Sequence, residues 1–366
     1  MPNSSEPAAR SSLTSVQVLN GDTLLISLEG VIMNARRIAG LLATGLLLIA
    51  AAAAQTAGYR VSAPLTYKNL SIFLIHGKDE NTKGNILTLQ EALERGLFRV
   101  YETGDVNELE VENLSKEFDV FIQSGDIVKG GKQDRILAVS IIIPARSGRV
   151  SIEAFCVESG RWTKRGNEDS DKFTSSNDRI VTKELKMAAN GARSQSDVWA
   201  QVSEAQERLA KGVGGGNITS RTSESSLQLS LENDRVVASV DDYVRHLSNA
   251  LNGQDDVIGF AFAVNGQINS ADVYASNALF KKLWPKMLKA SATEAVSQAR
   301  GVRLADPVKA DAVKGFLDDA DKARPKEQAL SAGAKLVTRE DKDNVLYEAR
   351  DEKSKLIVHK SYVKKP

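Results

Sequence analysis

The sequence predicts an α+β fold, in which a β-rich, sandwich- or barrel-like N-terminal part precedes a second part of helices and β-hairpins. Between Leu65 and Glu158, short runs rich in valine, isoleucine, phenylalanine and tyrosine alternate with Gly, Asn, Ser and charged turn residues, the spacing of a many-stranded sheet. After Gly212 the pattern changes to longer stretches with apolar residues at helical spacing. A chain of 366 residues with 42% hydrophobic content is long and apolar enough to bury a sizeable core.

Taken in order, Met1 to Ile32 is polar and Ser-rich at its start, whereas Met33 to Ala54 combines Arg36 and Arg37, an apolar run and an Ala-rich end. That second segment has the layout of a secretory signal, and a single membrane-spanning anchor is the alternative. Translation starting at Met33 is the simplest reading of the pair. It makes 1–32 a mis-assigned leader and places the remainder in an exported, periplasmic or secreted compartment.

Leu65 to Ile75 is strand-like, and Thr88 with Glu91 forms a capping box that opens a short helix ended by Gly96. Strands are expected at 97–102, 108–113, 120–124, 136–144 and 149–158. The polar passage Thr163 to Asp178 reads as a loop. A helical stretch follows from Ile180 to Lys211, with Ser196 as its cap, and then a Gly/Ser-rich linker from Gly212 to Ser226. Val240 to Leu251 is expected to be helical, with Asp241 as a cap. Val257 to Val264 and Gln267 to Tyr274 form a hairpin about Asn265-Gly266, a pair that accepts positive φ. A long helix from Asn277 to Ala299 would bend at Pro285. A helix at 309–322 and a terminal hairpin, Lys335 to Glu348 with Lys355 to Val363, finish the chain, and that hairpin is free to return to the first sheet. The organisation is therefore 1–32 leader, 33–54 signal or anchor, 65–178 β-rich, 179–300 helices plus hairpin, and 301–366 helix and terminal hairpin.

Composition limits the chemistry. Basic (48) and acidic (47) residues nearly cancel, so no net field draws the chain to nucleic acid or to an acidic membrane. One cysteine makes no internal disulfide. The three histidines, His76, His246 and His359, have no second ligand at metal-site spacing, and no phosphate loop, nucleophile elbow or zinc-protease helix is present. No metal and no cofactor is implied.

Polar and reactive residues crowd instead into Asp119 to Trp162. Asp126, Lys129, Lys132, Gln133 and Arg135 surround a Gly-rich turn suited to presenting N–H groups and cations to an anion, or to simple solvation. Glu158, Arg161 and Trp162 close the next strand and can reach the same sheet edge, as a ligand wall or as an ion pair under a core-covering ring. Cys156 shares its strand face with Ile152 and Ala154, which buries it. As a nucleophile it would need activation by a nearby cation, with Glu158 as a second weak catalytic candidate.

The order YKNLSIFLI, LTLQEALERGLFRVYETG, GDIVKGGKQDRIL, SIEAFCVESGRW and SADVYASNALFKKLWPKML resembles the ARG-and-rhodanese-phosphatase-superfamily-associated domain family, over roughly residues 65–300. The resemblance carries no activity and no catalytic set. Two functional expectations follow from the residues. The first is an exported module that binds a small polar or anionic ligand, or a protein partner, through the patch. The second is an envelope hydrolase or transferase that acts through Cys156.

Overall fold

The first strands, β1 (Arg60–Val61), β2 (Leu65–Tyr67) and β3 (Leu70–His76), show how apolar runs become the centre of the molecule. Every residue of β3 is buried. Leu70, Ile72 and Leu74 join one apolar cluster, while Phe73 and Ile75 join another on the opposite face. A strand covered on both faces has no polar positions to spare, which is why its sequence is nearly continuous in apolar residues. The computed structural model describes residues 58–80, 85–163, 165, 172–179, 182–192, 194–299 and 308–366. All of them lie in one compact unit, Gln55–Pro366. The proposed leader and export segment fall outside the described residues.

Strand β4 (Ile86–Thr88) runs into helix α1 (Leu89–Glu94), and the expected capping box is present: Glu91 N–H donates to Thr88 Oγ1 at 3.2 Å and Thr88 N–H to Glu91 Oε2 at 2.9 Å. Next come β5 (Phe98–Glu102), β6 (Glu108–Asn113), β7 (Asp119–Ile122), β8 (Asp126–Gly130), β9 (Arg135–Leu137), β10 (Ile141–Ile143), β11 (Arg149–Cys156) and β12 (Phe173–Arg179). They form two sheets, ordered β10-β7-β4 and β12-β8-β9-β11-β6-β5. The run expected as one strand at 136–144 is broken for a topological reason. β9 pairs with β8 and β11 in one sheet while β10 pairs with β7 in another, so the chain changes sheets across Ala138 to Ser140. Two further expectations are corrected here. Asp126–Gly130 is a strand, leaving only Gly131 to Asp134 as the turn, and the end of the passage read as a loop is β12, which pairs with β8.

Helix α2 (Lys183–Met187) passes into a π-turn, Ala188–Ala192, before α3 (Gln195–Gly212), so the expected single helix is two. Its cap is Ser194, which accepts from Asp197 N–H; Ser196 only hydrogen-bonds to Ser194. The passage read as a linker is anchored, with Ile218 and Ser226 buried and Arg235 donating to the carbonyls of Gly215 and Asn217. After α4 (Leu227–Leu231), helix α5 (Asp234–Leu247) is capped by Asn233, which leaves Asp241 exposed in mid-helix.

Hairpin β13 (Val257–Val264) and β14 (Gln267–Tyr274) turns at Asn265 and Gly266, both at positive φ, 52° and 75°. Helix α6 (Asn277–Ser297) runs on through Pro285 with Leu283, Trp284, Met287 and Leu288 buried. It covers one face of β13, and α7 (Ala310–Lys322) covers the other face of the same sheet through Phe316 and Leu317. The last strands are β15 (Pro325–Ala329), β16 (Ala334–Glu340), β17 (Asn344–Asp351) and β18 (Ile357–Lys364). The stretch expected as one arm of the terminal hairpin is thus itself two strands. β18 does return to the early strands, through β14, in a nine-stranded sheet ordered β1-β3-β13-β14-β18-β17-β16-β15 with β2 paired to β3. The whole is an α+β fold with a β-rich first part, and its sheets include one curled into a half barrel. Among the described residues no helix is long and apolar enough to cross a membrane.

Candidate functional site

The strand-end patch assembles as a closed ion network. Antiparallel pairing of β9 with β11 sets Arg135 opposite Cys156, so the turn before β9 and the chain after β11 share one edge. There Gln133 Nε2 donates to the Glu158 carbonyl at 2.9 Å, and Arg161 Nε to Glu158 Oε2 at 2.7 Å. Arg165 donates to Asp134 Oδ2 at 2.9 Å, and Arg135 to Glu102 at 2.9 Å and to the Val106 carbonyl at 2.7 Å. Trp162, 40% exposed, lies over this group with Lys132 Nζ 5.2 Å and the Arg135 guanidinium 5.5 Å from its ring.

Lys132, Gln133, Arg135, Glu158, Arg161 and Trp162 are therefore brought together, while Lys129 turns away to pair with Glu232. Charges held this way keep one another, and removing one partner of a buried pair costs about 3–5 kcal/mol. The glycines serve packing as well: Gly130 and Gly131 sit at φ 114° and 57°, and a side chain on Gly131 would meet the Phe173 ring at 2.2 Å. Cys156 is fully buried and its thiol points to the Val106 carbonyl at 3.8 Å. Burial, partly offset by Arg135, pushes that thiol up to about 11, so almost none of it is the reactive thiolate at neutral pH.

Asp126 belongs to a different cluster, at the meeting of the sheets. It pairs with Arg179 Nε at 3.3 Å and Lys286 at 3.2 Å, and Arg179 also donates to the Ser124 carbonyl. Nearby, β14 and β18 pair so that Tyr274 faces His359, and the β-alternation puts Asp272 on the same face as Tyr274. Asp272 Oδ1 accepts from His359 Nε2–H at 3.0 Å, which leaves Nδ1 to accept from the Ser140 hydroxyl at 2.9 Å. Ser140, set in the crossing between sheets, also accepts from the Ser124 N–H at 3.0 Å. The imidazole stacks on Tyr274 at 4.7 Å and meets the edge of Phe121 at 5.9 Å. Asn190, in the π-turn, accepts from the Ser124 hydroxyl at 2.8 Å. Lys186 from α2 stands more loosely, 3.9 Å from Asp272 Oδ2 and 3.5 Å from Ser270 Oγ.

Ser124, Ser140, Arg179, Lys186, Asn190 and Asp272 line a chamber of about 20 Å³, room for one water molecule. Asn190, Leu336 and Tyr347 wall both this chamber and an open bowl of about 540 Å³. Two buried acceptors of the cluster, Asp272 Oδ2 and Gln123 Oε1, have no hydrogen-bond donor among the described residues. Burial opposes the Asp272 charge, but Lys186, His359 and Arg179 outweigh it and hold the carboxyl below the usual range. Asp126 is held low in the same way, by Lys286 and Arg179 against its burial. Burial lowers Lys186 and His359, opposed by Asp272 and assisted in both by Arg179. Glu294, behind Lys186, is raised to about 7 by burial and by Glu184. Such displaced titrations concentrate where a protein handles charge or protons.

The three histidines do not converge: His76 bonds Asp256 at 2.7 Å, His246 stacks on Tyr67, and only His359 reaches the chamber. Among the described residues no three of His, Cys, Asp and Glu are placed to hold a metal ion. Sequence reading missed Ser140, Lys186, Asp272 and His359. Asp272 and His359 carry one local signal, an ionisable residue facing the covered side of an apolar strand, in INSADVY and IVHKSYV, and Ser140 and Lys186 carry none.

Residues 58–364 match the family described as the ARG and Rhodanese-Phosphatase-superfamily-associated Protein domain. The match reaches beyond residue 300 to take in the terminal helix and strands, which the nine-stranded sheet requires. No curated protein and no solved structure matches the chain.

Proposed function

The chain belongs to the ARG and Rhodanese-Phosphatase-superfamily-associated Protein domain family, and we propose that it is an exported module that binds a small polar anion at the chamber lined by Lys186 and the adjoining bowl. The observation that carries this reading is the charge of the chamber. Around it Arg179, Lys186, Lys286 and Lys289 face Asp126, Asp178 and Asp272, four cations against three carboxylates, with Glu294 raised to about 7. A buried excess of positive charge with a loosely held lysine favours a small anion, and Asp272 Oδ2 and Gln123 Oε1, which lack a hydrogen-bond donor among the described residues, favour one that also carries a hydroxyl. Near-neutral overall charge supports a small ligand over nucleic acid. Export rests on the signal-like Met33 to Ala54 segment. The strand-end patch is the weaker seat, since its arginines are already ion-paired.

Titration calorimetry of the full chain with phosphate, acetate, lactate and citrate at matched ionic strength tests the reading. At least one should bind saturably, and Lys186→Met should weaken it about tenfold or more. Heats no larger than those given by chloride for every anion would overturn it.

A further inference from the structure

Ser140 and Asp272 line the chamber and His359 bridges them, and we infer that Ser140 is the nucleophile of an acyl-transfer centre that hydrolyses small esters carrying an anionic group. This rests on the anion-binding reading, because the cations that would hold such an ester are the same Arg179 and Lys186.

Geometry supplies each role. The Ser140 hydroxyl donates to His359 Nδ1 at 2.9 Å, and the opposite ring nitrogen is held by Asp272 at 3.0 Å. Asp272 is thus a positioning residue that fixes which nitrogen carries the proton, and Tyr274 fixes the ring plane by stacking at 4.7 Å. The ring nitrogens have exchanged places relative to the usual serine–histidine arrangement, but the triad is defined by its roles. Arg179 and Lys186 line the same chamber, where a cation stabilises the oxyanion of a tetrahedral intermediate. A buried, uncharged imidazole is ready to accept a proton at neutral pH, and the groups that set its charge are Asp272, Arg179 and Lys186.

In the reaction, Ser140 Oγ bonds to the acyl carbon as its proton passes to His359 Nδ1. The ester C–O bond breaks, and the leaving alkoxide takes that proton. Water then attacks the acyl carbon, giving its proton to the same nitrogen. The acyl–Ser140 bond breaks, the proton returns to Oγ, and the carboxylic acid is released. The chamber has room beside Ser140 for only one water-sized group, so the ester must lie in the bowl and reach Ser140 by displacing the shared wall of Asn190, Leu336 and Tyr347.

Methanesulfonyl fluoride, a small serine-directed reagent, tests this on the full chain, with peptide mass spectrometry locating the adduct around pH 8 and around pH 5. Ser140 should be sulfonylated about 100-fold faster than other serines around pH 8, with a rate that falls only once the pH drops below the lowered range of His359. His359→Gln, checked for folding by circular dichroism, should remove that selectivity. Reaction spread over surface serines, or no adduct on Ser140 in wild-type protein, would overturn the inference. If calorimetry still reports anion binding in that protein, the binding reading survives alone.

Discussion

At the scale of single residues, the cost of burying charge decides where chemistry can sit. Glu294 is buried and accepts from Asn269 at 3.1 Å and Gln298 at 2.6 Å, yet burial raises it from 4.5 to about 7. The folded chain therefore keeps a proton that the unfolded chain has released. The stabilisation is whole below 4.5 and is lost as pH rises to about 7. Glu294→Gln keeps an acceptor for both donors and removes the titration. Relative to wild type, the variant should gain about 2–4 kcal/mol between about pH 5 and pH 8, read by urea denaturation at each pH. Equal pH dependence in the two proteins would contradict this assignment. Single residues were legible only where local alternation governs them. Cys156 reads as buried because Ile152 and Ala154 share its face, and it is buried. His359 is 219 positions from Ser140 and 87 from Asp272, and no local pattern joins them.

At the scale of elements, a turn and one cap were legible because their chemistry is local, while the caps read at Ser196 and Asp241 fall at Ser194 and Asn233. The Thr88 capping box and the Asn265-Gly266 turn are both present as their residues predict. Strand β12 was missed because FTSSNDR has few strand formers; its place is fixed by pairing with β8 and by Arg179 reaching Asp126. The split of the 136–144 run was equally invisible, since both halves are apolar and only their different sheets divide them. The Gly-rich turn was read correctly for backbone conformation, but its neighbour is the Phe173 ring. Gly131→Ala combines a left-handed backbone with that clash, and should cost about 2–4 kcal/mol in a chemical denaturation series. A loss within about 0.5 kcal/mol would mean that the turn relaxes freely.

At the scale of the whole molecule, the last strands complete what the first ones begin. β18 supplies His359, β14 supplies Asp272, and the crossing between the two smaller sheets supplies Ser140, so the chamber exists only when distant parts of the chain are paired. The α+β class was readable because composition and periodicity persist over long stretches. The joining of early and late strands was readable only as an option, because strand partners are chosen by long-range packing. We place the functional seat in this chamber and read the Trp162 patch as structural. The most direct test is a proton–nitrogen correlation spectrum of the histidine and tryptophan side chains during titration with the anion that calorimetry selects. The His359 ring signals should shift saturably while the Trp162 indole signal stays in place. A shift at Trp162 with His359 unmoved would contradict this placement and return the ligand to the strand-end patch.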